Sequence, residues 1–196
     1  MGSMSLVILD LETTRNSSTN EEEIIEIACI KVNEKFEILG EFHILVKPSC
    51  PLSYITKTKT GINEADLYNK QKINEVIPSL LKFIKDKTII AHNARFDYKI
   101  LKHNFKKYNF ILKNRFIDSL SLLKTIFPNE RCSLISLKEK FNINKDNHRA
   151  LEDVCALKEV LFYSNKEYIK RFNNPILKEL DKFKVVNHST QKTLNF

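Results

Sequence analysis

Glycine and tryptophan are nearly missing from this chain of 196 residues, which has three of the former and none of the latter. That scarcity excludes collagen-like and glycine-rich architectures, which depend on glycine at a strict or dense period. Four cysteines, Cys29, Cys50, Cys132 and Cys155, stand far apart and form neither a CxxC pair nor a Cys/His zinc spacing. A structural zinc site drops out, and a reducing cytoplasm is the expected compartment. No apolar run approaches the roughly 18 residues that a membrane span requires, and Asp10 and Glu12 arrive too early for a secretory signal peptide.

What is present amounts to one domain. A chain of 196 residues, 42% of them hydrophobic, buries roughly 70% of the surface its unfolded form exposes. Lysine and arginine number 32 against 24 aspartates and glutamates, a formal charge of +8 that favours a polyanionic partner. Met1-Gly2-Ser3-Met4 reads as a cloning remnant ahead of a native Met4 and is set apart from the fold.

Residues 6–9 form an unbroken apolar run, as expected of a strand covered on both faces. Residues 24–32 and 36–46 are rich in β-formers and separated by Asn33-Glu34-Lys35, which predicts an antiparallel three-strand meander. The period then becomes helical at Ile73, Val76, Ile77, Leu80, Leu81 and Ile84, and residues 88–91 give another short strand. Helices are predicted over 95–107, from about Asp118, over 133–141 and from Ala150, with a short strand at Phe116-Ile117. The whole reads as an α/β fold with a mixed five-stranded sheet flanked by helices. The expected division is a main unit over 4–164, a Lys-rich, partly helical extension over 165–186 and a polar tail over 187–196.

Several carboxylates fall where apolar side chains belong. Asp10 and Glu12 end the first strand and, two residues apart, share a face. Asp97 lies on the stripe of Ile100, Leu101 and Phe105, and Asp153 on that of Ala150, Ala156, Leu157 and Val160. A single such acid is commonplace as an exposed strand end or a buried cap. Brought together, carboxylates near 4 Å repel by about 4 kcal/mol per pair at an effective dielectric of about 20. Cations must offset that, and an all-oxygen ligand set selects Mg²⁺ or Mn²⁺.

Three ordered motifs within residues 6–163 carry a resemblance. They are Asp10-Leu11-Glu12-Thr13-Thr14 followed by Ile24-Ile25-Glu26-Ile27, then His92-Asn93-Ala94-Arg95-Phe96-Asp97, then His148-Arg149-Ala150-Leu151-Glu152-Asp153. In these the chain resembles the DnaQ-like 3′-to-5′ exonucleases of the DEDDh class, whose fold is similar to ribonuclease H. The resemblance implies two divalent cations, Mg²⁺ or Mn²⁺, on Asp10, Glu12, Asp97 and Asp153, with His148 as base. The sister branch of the family places tyrosine four residues before the last aspartate, where this chain has Arg149, so the histidine branch is implied. Thr13 and Phe96 resemble positions that contact the terminal nucleotide, through backbone and apolar packing respectively, with a core side chain as the alternative for Phe96, and Asn93 is expected to tie the second motif to the substrate or the strand end.

One departure is Arg15, where the family commonly has glycine, so the following loop is expected to differ and Arg15 either reaches a phosphate or points to solvent. Lys102, Lys106 and Lys107 read first as a solvated face and second as a backbone-contact patch. The chain ends Gln191-Lys192-Thr193-Leu194-Asn195-Phe196, similar to the peptide by which bacterial replication proteins dock on the sliding clamp, with Gln191, Leu194 and Phe196 as anchors. The resemblance therefore implies an enzyme acting on single-stranded DNA 3′ ends in proofreading, alongside a polymerase catalytic subunit and a clamp, with no membrane partner. Two alternatives stay open, a 3′-to-5′ exoribonuclease and a non-catalytic nucleic-acid-binding module of polymerase assembly.

Overall fold

The computed structural model describes residues 5–143, 149–183, 185 and 186. His148 and the clamp-like peptide with Gln191, Leu194 and Phe196 lie outside the described residues.

A five-stranded sheet forms the middle layer. Its strands are β1 (Ser5–Arg15), β2 (Glu22–Asn33), β3 (Ile38–Leu45), β4 (Ile89–Ala91) and β5 (Phe116–Asp118), in the spatial order β3-β2-β1-β4-β5. The β1/β2 and β2/β3 pairs are antiparallel, whereas β1/β4 and β4/β5 are parallel, so the sheet is the expected meander extended by two crossover strands. Helices follow in chain order as α1 (Tyr54–Thr60), α2 (Glu64–Leu67), α3 (Ile73–Ile84), α4 (Arg95–Lys107), α5 (Ser119–Ile126), α6 (Leu134–Lys140) and α7 (Ala150–Phe172).

The apolar run of β1 is continuous because both of its faces are covered. Leu6 and Ile8 join Ala28 and Ile30 in a core with Leu122, Leu137, Val154, Leu157 and Leu161 of α5, α6 and α7. Val7, Leu9 and Leu11 belong to a second core, with Ile77 and Leu80 of α3 and Leu101 and Phe105 of α4. Each fully buried aliphatic side chain of this kind contributes about 1.5–3 kcal/mol, so the strand is held firmly between the two helical layers. Asp10 and Glu12 continue the alternation begun by Leu6 and Ile8 toward the carboxyl end of the strand.

Three boundaries differ from the sequence reading. The first strand runs on through Arg15, because its pairing with β2 continues from Leu11↔Ile27 to Arg15↔Glu22, with an irregularity between Glu12 and Thr13. Residue 36 belongs to the connection between β2 and β3 instead of a strand: Phe36 has φ of 62°, and its buried ring meets the edge of Phe162 at 6.4 Å, a contact that offsets an unfavourable backbone conformation. Residue 164 lies inside α7, which continues to Phe172 and stops where Asn173 adopts the left-handed conformation at φ 53°. A 3-10 helix, Ile176–Lys182, then returns Ile176, Leu177 and Leu180 to the core that α7 covers. The Tyr168 hydroxyl donates to the Glu179 carboxylate across this return. No helix among the described residues is long and apolar enough to cross a membrane.

Candidate active site

Three of the sequence-selected carboxylates meet at the carboxyl end of β1. Oxygens of Asp10 and Glu12 from β1 and of Asp153 from the first turn of α7 all lie within 4.8 Å of one another. The side-chain period of two sets the first pair, and the packing of α7 on β1 delivers the third. Asp97, in the first turn of α4, is buried at 4% exposure and interacts electrostatically with both Asp10 and Glu12, outside the tight trio. Both helical acids occupy first turns, where the helix dipole favours negative charge.

The electrostatics of the cluster are those of crowded anions. Burial, reinforced by Asp97, Glu12 and Asp153, holds the Asp10 carboxyl well above the usual carboxylate range, against an opposing pull from Lys59. Burial also pushes Asp97 up to about 7; its own amide and that of Leu11 oppose the shift, while Glu12 and Asp118 add to it. Glu12 is raised by burial and drawn back by Lys59. An oxygen-only donor set under this repulsion fits a hard divalent cation, whose charge would offset it.

Two lysines stand at the cluster, and the sequence reading missed both. Lys59 at the end of α1 places Nζ 3.3 Å from Glu12 Oε2, and Lys138 of α6 places Nζ 3.3 Å from Asp153 Oδ1. The Lys59 side chain is half exposed, whereas Lys138 is buried. A signal for Lys138 was available: it sits on the helical stripe of Leu134, Leu137 and Phe141, an apolar face on which a cation needs partners.

Glu26 is another residue whose role the motif did not disclose. It is fully buried on β2, directly opposite Glu12. Arg149 Nε donates to both of its oxygens at 3.1 Å, and Nη2 donates to Oε1 at 2.9 Å. The Ala150 amide donates to Oε2 at 3.1 Å, and His43 Nε2 lies 2.7 Å from Oε1. Burial alone would raise the Glu26 carboxyl, but Arg149, His43 and the Ala150 amide outweigh it and hold it below the usual range. The position that bears tyrosine in the sister branch thus carries an arginine that fastens the start of α7, and with it Asp153, to the sheet.

The expected nucleotide contacts divide into two kinds. Phe96 is 44% exposed, not core, and lines a cleft of about 360 Å³ with Arg15, Asn20, Lys99 and His103. Arg15 is tied locally: its Nε and Nη2 donate to Asn20 Oδ1 at 2.9 and 2.6 Å, so it forms part of the cleft wall at the end of β1. Asn93 and Thr13 have structural work as well. Asn93 takes φ of 63° in the turn from β4 into α4, a left-handed conformation that asparagine tolerates better than most residues. Thr13 Oγ1 donates to Glu22 Oε2 at 3.0 Å, while the Thr13 carbonyl accepts from Thr56 Oγ1 at 3.2 Å, docking α1 beside the carboxylates. The turn into α4 is braced from β5 and α5, where Asp118 Oδ1 accepts from the Ala94 amide at 3.2 Å and Ser119 Oγ lies 3.0 Å from His92 Nδ1. The pKa of His92 is pushed down by burial, and the ring reads as a structural imidazole of the second motif.

Comparison with known proteins agrees with this geometry. A DNA polymerase III of PolC type from Thermotoga maritima is 37% identical over 185 residues, covering 93% of this chain and 13% of that protein. The chain therefore spans only a small part of such relatives. A DNA polymerase III subunit epsilon from Rickettsia typhi is 32% identical over 168 residues, covering 82% of this chain and 73% of the relative. Among solved structures, the nuclease domain of 3′hExo, a DEDDh family member, bound to rAMP, matches with a TM-score of 0.71 at 16% identity, covering 93% of this chain and 96% of that one. Exonuclease X in complex with 5′ overhanging duplex DNA matches with a TM-score of 0.68 at 23% identity, covering 90% and 98%. These two likenesses establish the ribonuclease H-like fold. Residues 7–161, which contain all four of these carboxylates, match the RNase_T family model, described as Exonuclease, and the chain belongs to that exonuclease family.

Proposed function

We propose that this chain hydrolyses the terminal phosphodiester of single-stranded DNA from the 3′ end, releasing nucleoside monophosphates, as the proofreading nuclease of a replicative polymerase. The observation that carries the reading is the trio of Asp10, Glu12 and Asp153 oxygens within 4.8 Å, with buried Asp97 beside it, on the segment that matches the exonuclease family. The polymerase III relatives support DNA and proofreading as the context.

In this reading Asp10, Glu12, Asp97 and Asp153 hold two divalent cations, Mg²⁺ or Mn²⁺. When bound, such ions supply Lewis acidity at the scissile phosphate and lower the pKa of an attacking water. His148 accepts the proton of that water. Phe96 packs against the terminal nucleoside, and the cleft it lines with Arg15 receives the base. Thr13 presents backbone to the terminal nucleotide, and Asn93 ties the second motif to the substrate or the strand end. The Glu26 and Arg149 clamp keeps Asp153 in register with β1. Lys59 and Lys138 act as counter-charges to Glu12 and Asp153.

The same reading makes Gln191, Leu194 and Phe196 a docking peptide for a sliding clamp and the rest of the chain a partner of a polymerase catalytic subunit in the cytoplasm. The test is digestion of matched DNA and RNA oligonucleotides, labelled at the 3′ or the 5′ end, with Mn²⁺ and with chelator. Early release of labelled mononucleotide from 3′-labelled DNA, abolished by chelator, is expected. Faster digestion of RNA would replace DNA as substrate, and no release from either would leave a binding module instead of an enzyme.

A further inference from the structure

The exposed face of α4 points to a function that the carboxylate site does not use. Arg95, Lys99, Lys102 and Lys106 recur at intervals of four, three and four residues, so they form a single stripe along the helix. All four are exposed, and among the described residues none of them has a carboxylate within 4 Å. The neighbouring His103 and Lys107 differ, since Glu21 lies 3.5 and 4.0 Å from them. Lys102 rests its ammonium over the Tyr98 ring at 5.3 Å, which directs it along the helix surface. Asp97 is the only acid of α4, and it is buried.

This arrangement works against the helix. Arg95 with Lys99, and Lys102 with Lys106, are like-charged pairs one turn apart, which destabilise a helix, and Arg95 sits in the first turn, where the dipole disfavours a cation. The stripe belongs to neither core, and beyond the contact of Lys102 with the Tyr98 ring it adds no packing that offsets these penalties. A polyanion lying along the face would offset both penalties. At about 1.5 Å per residue the stripe runs roughly 16 Å from Arg95 to Lys106, and it starts in the same turn as Phe96 and Asp97.

We propose that this face is a track for the phosphate backbone of a single strand, upstream of the terminal nucleotide. The inference rests on the 3′-exonuclease reading and adds the path of the strand: terminal residue at Phe96, upstream phosphates over Lys99, then Lys102 and Lys106. The contacts are with phosphate alone, so the track supplies affinity for length, not for sequence.

The experiment compares kcat/KM on a dinucleotide and on a 15-nucleotide DNA with Mn²⁺, across a salt series, for the intact chain and for Lys102→Ala/Lys106→Ala. The dinucleotide carries the scissile phosphate and none upstream of it, so its turnover is expected to stay unchanged while the advantage of the longer strand falls. The dependence of log kcat/KM on log salt for the longer strand should flatten by about 1.4, two phosphate contacts at about 0.7 each. Lys102→Arg/Lys106→Arg should restore most of the advantage, which separates lost charge from lost folding. An equal effect of the alanine pair on both lengths, or an unchanged salt slope, overturns the track. If the intact chain degrades neither DNA, the exonuclease reading fails together with the track; if it degrades both and the alanine pair changes nothing, the track alone fails.

Discussion

Asp10 shows how one side chain can serve chemistry at the expense of the fold. Burial and three neighbouring carboxylates raise its pKa, and Lys59 opposes them. Asp10→Asn keeps the shape and removes one of the repelling charges. It should abolish turnover and, in chelator, raise stability by on the order of 1 kcal/mol, or roughly 2–4 °C in Tm for a domain of this size. Thermal unfolding in chelator and an activity assay check the two halves, and a drop in Tm would contradict the role given to repulsion. Lys59 bears on the same cluster from its rim. Its side chain is 53% exposed, so its ion pair with Glu12 is worth only about 0.2–1 kcal/mol. Lys59→Ala should therefore tighten Mn²⁺ binding by about 1.4- to 5-fold, as measured by calorimetric titration, because a competing cation is gone.

At the scale of elements, the start of α7 depends on Glu26. Its carboxyl sits below the usual value of 4.5 in the folded chain, since the donors from Arg149, His43 and Ala150 outweigh the effect of burial. The ionised form therefore stabilises the fold above about pH 4.5, and that contribution disappears as pH falls through the lower folded-state value. Glu26→Gln should cost about 1–3 kcal/mol in urea unfolding at pH 7, and the gap from the unmodified chain should narrow as the pH drops below about 4.5. A gap independent of pH would mean that the glutamate's charge is not what holds the helix.

The elements also differ in how plainly the sequence announced them. The helix over 95–107 was legible to the residue because its apolar stripe is regular, and Asp97 and Asp153 stood out as acids on such stripes. By contrast α1 was silent: it buries Thr56 and Thr60 while exposing Tyr54 and Ile55, so no apolar period exists. Only its termini carry a signal, Ser53 as N-cap and Gly61 in the left-handed conformation at φ 70°. Lys59 was lost with that helix. The Glu26 clamp joins residues 123 positions apart, a pairing that no local pattern encodes.

For the molecule as a whole, the charged composition hid the reach of the core. The segment beyond residue 164 reads as Lys-rich, yet Ile176, Leu177 and Leu180 are buried in the same core as Leu157 and Leu161. Each contributes about 1.5–3 kcal/mol, a sum comparable with the roughly 5–15 kcal/mol that holds a domain together. Ending the chain after Ser164 should therefore give an unfolded or aggregating product, seen as loss of a cooperative thermal transition. A truncated chain that melts at the parent temperature would show that the exonuclease unit stops at 164.

At this scale everything turns on whether the gathered carboxylates bind metal. The most direct measurement is a crystal structure grown with Mn²⁺ and a nucleoside 5′-monophosphate, with anomalous scattering used to locate the ions. Manganese is expected on Asp10, Glu12 and Asp153, with the nucleoside against Phe96. Manganese bound elsewhere, or no anomalous signal among these carboxylates at saturating metal, would contradict the metal-dependent reading.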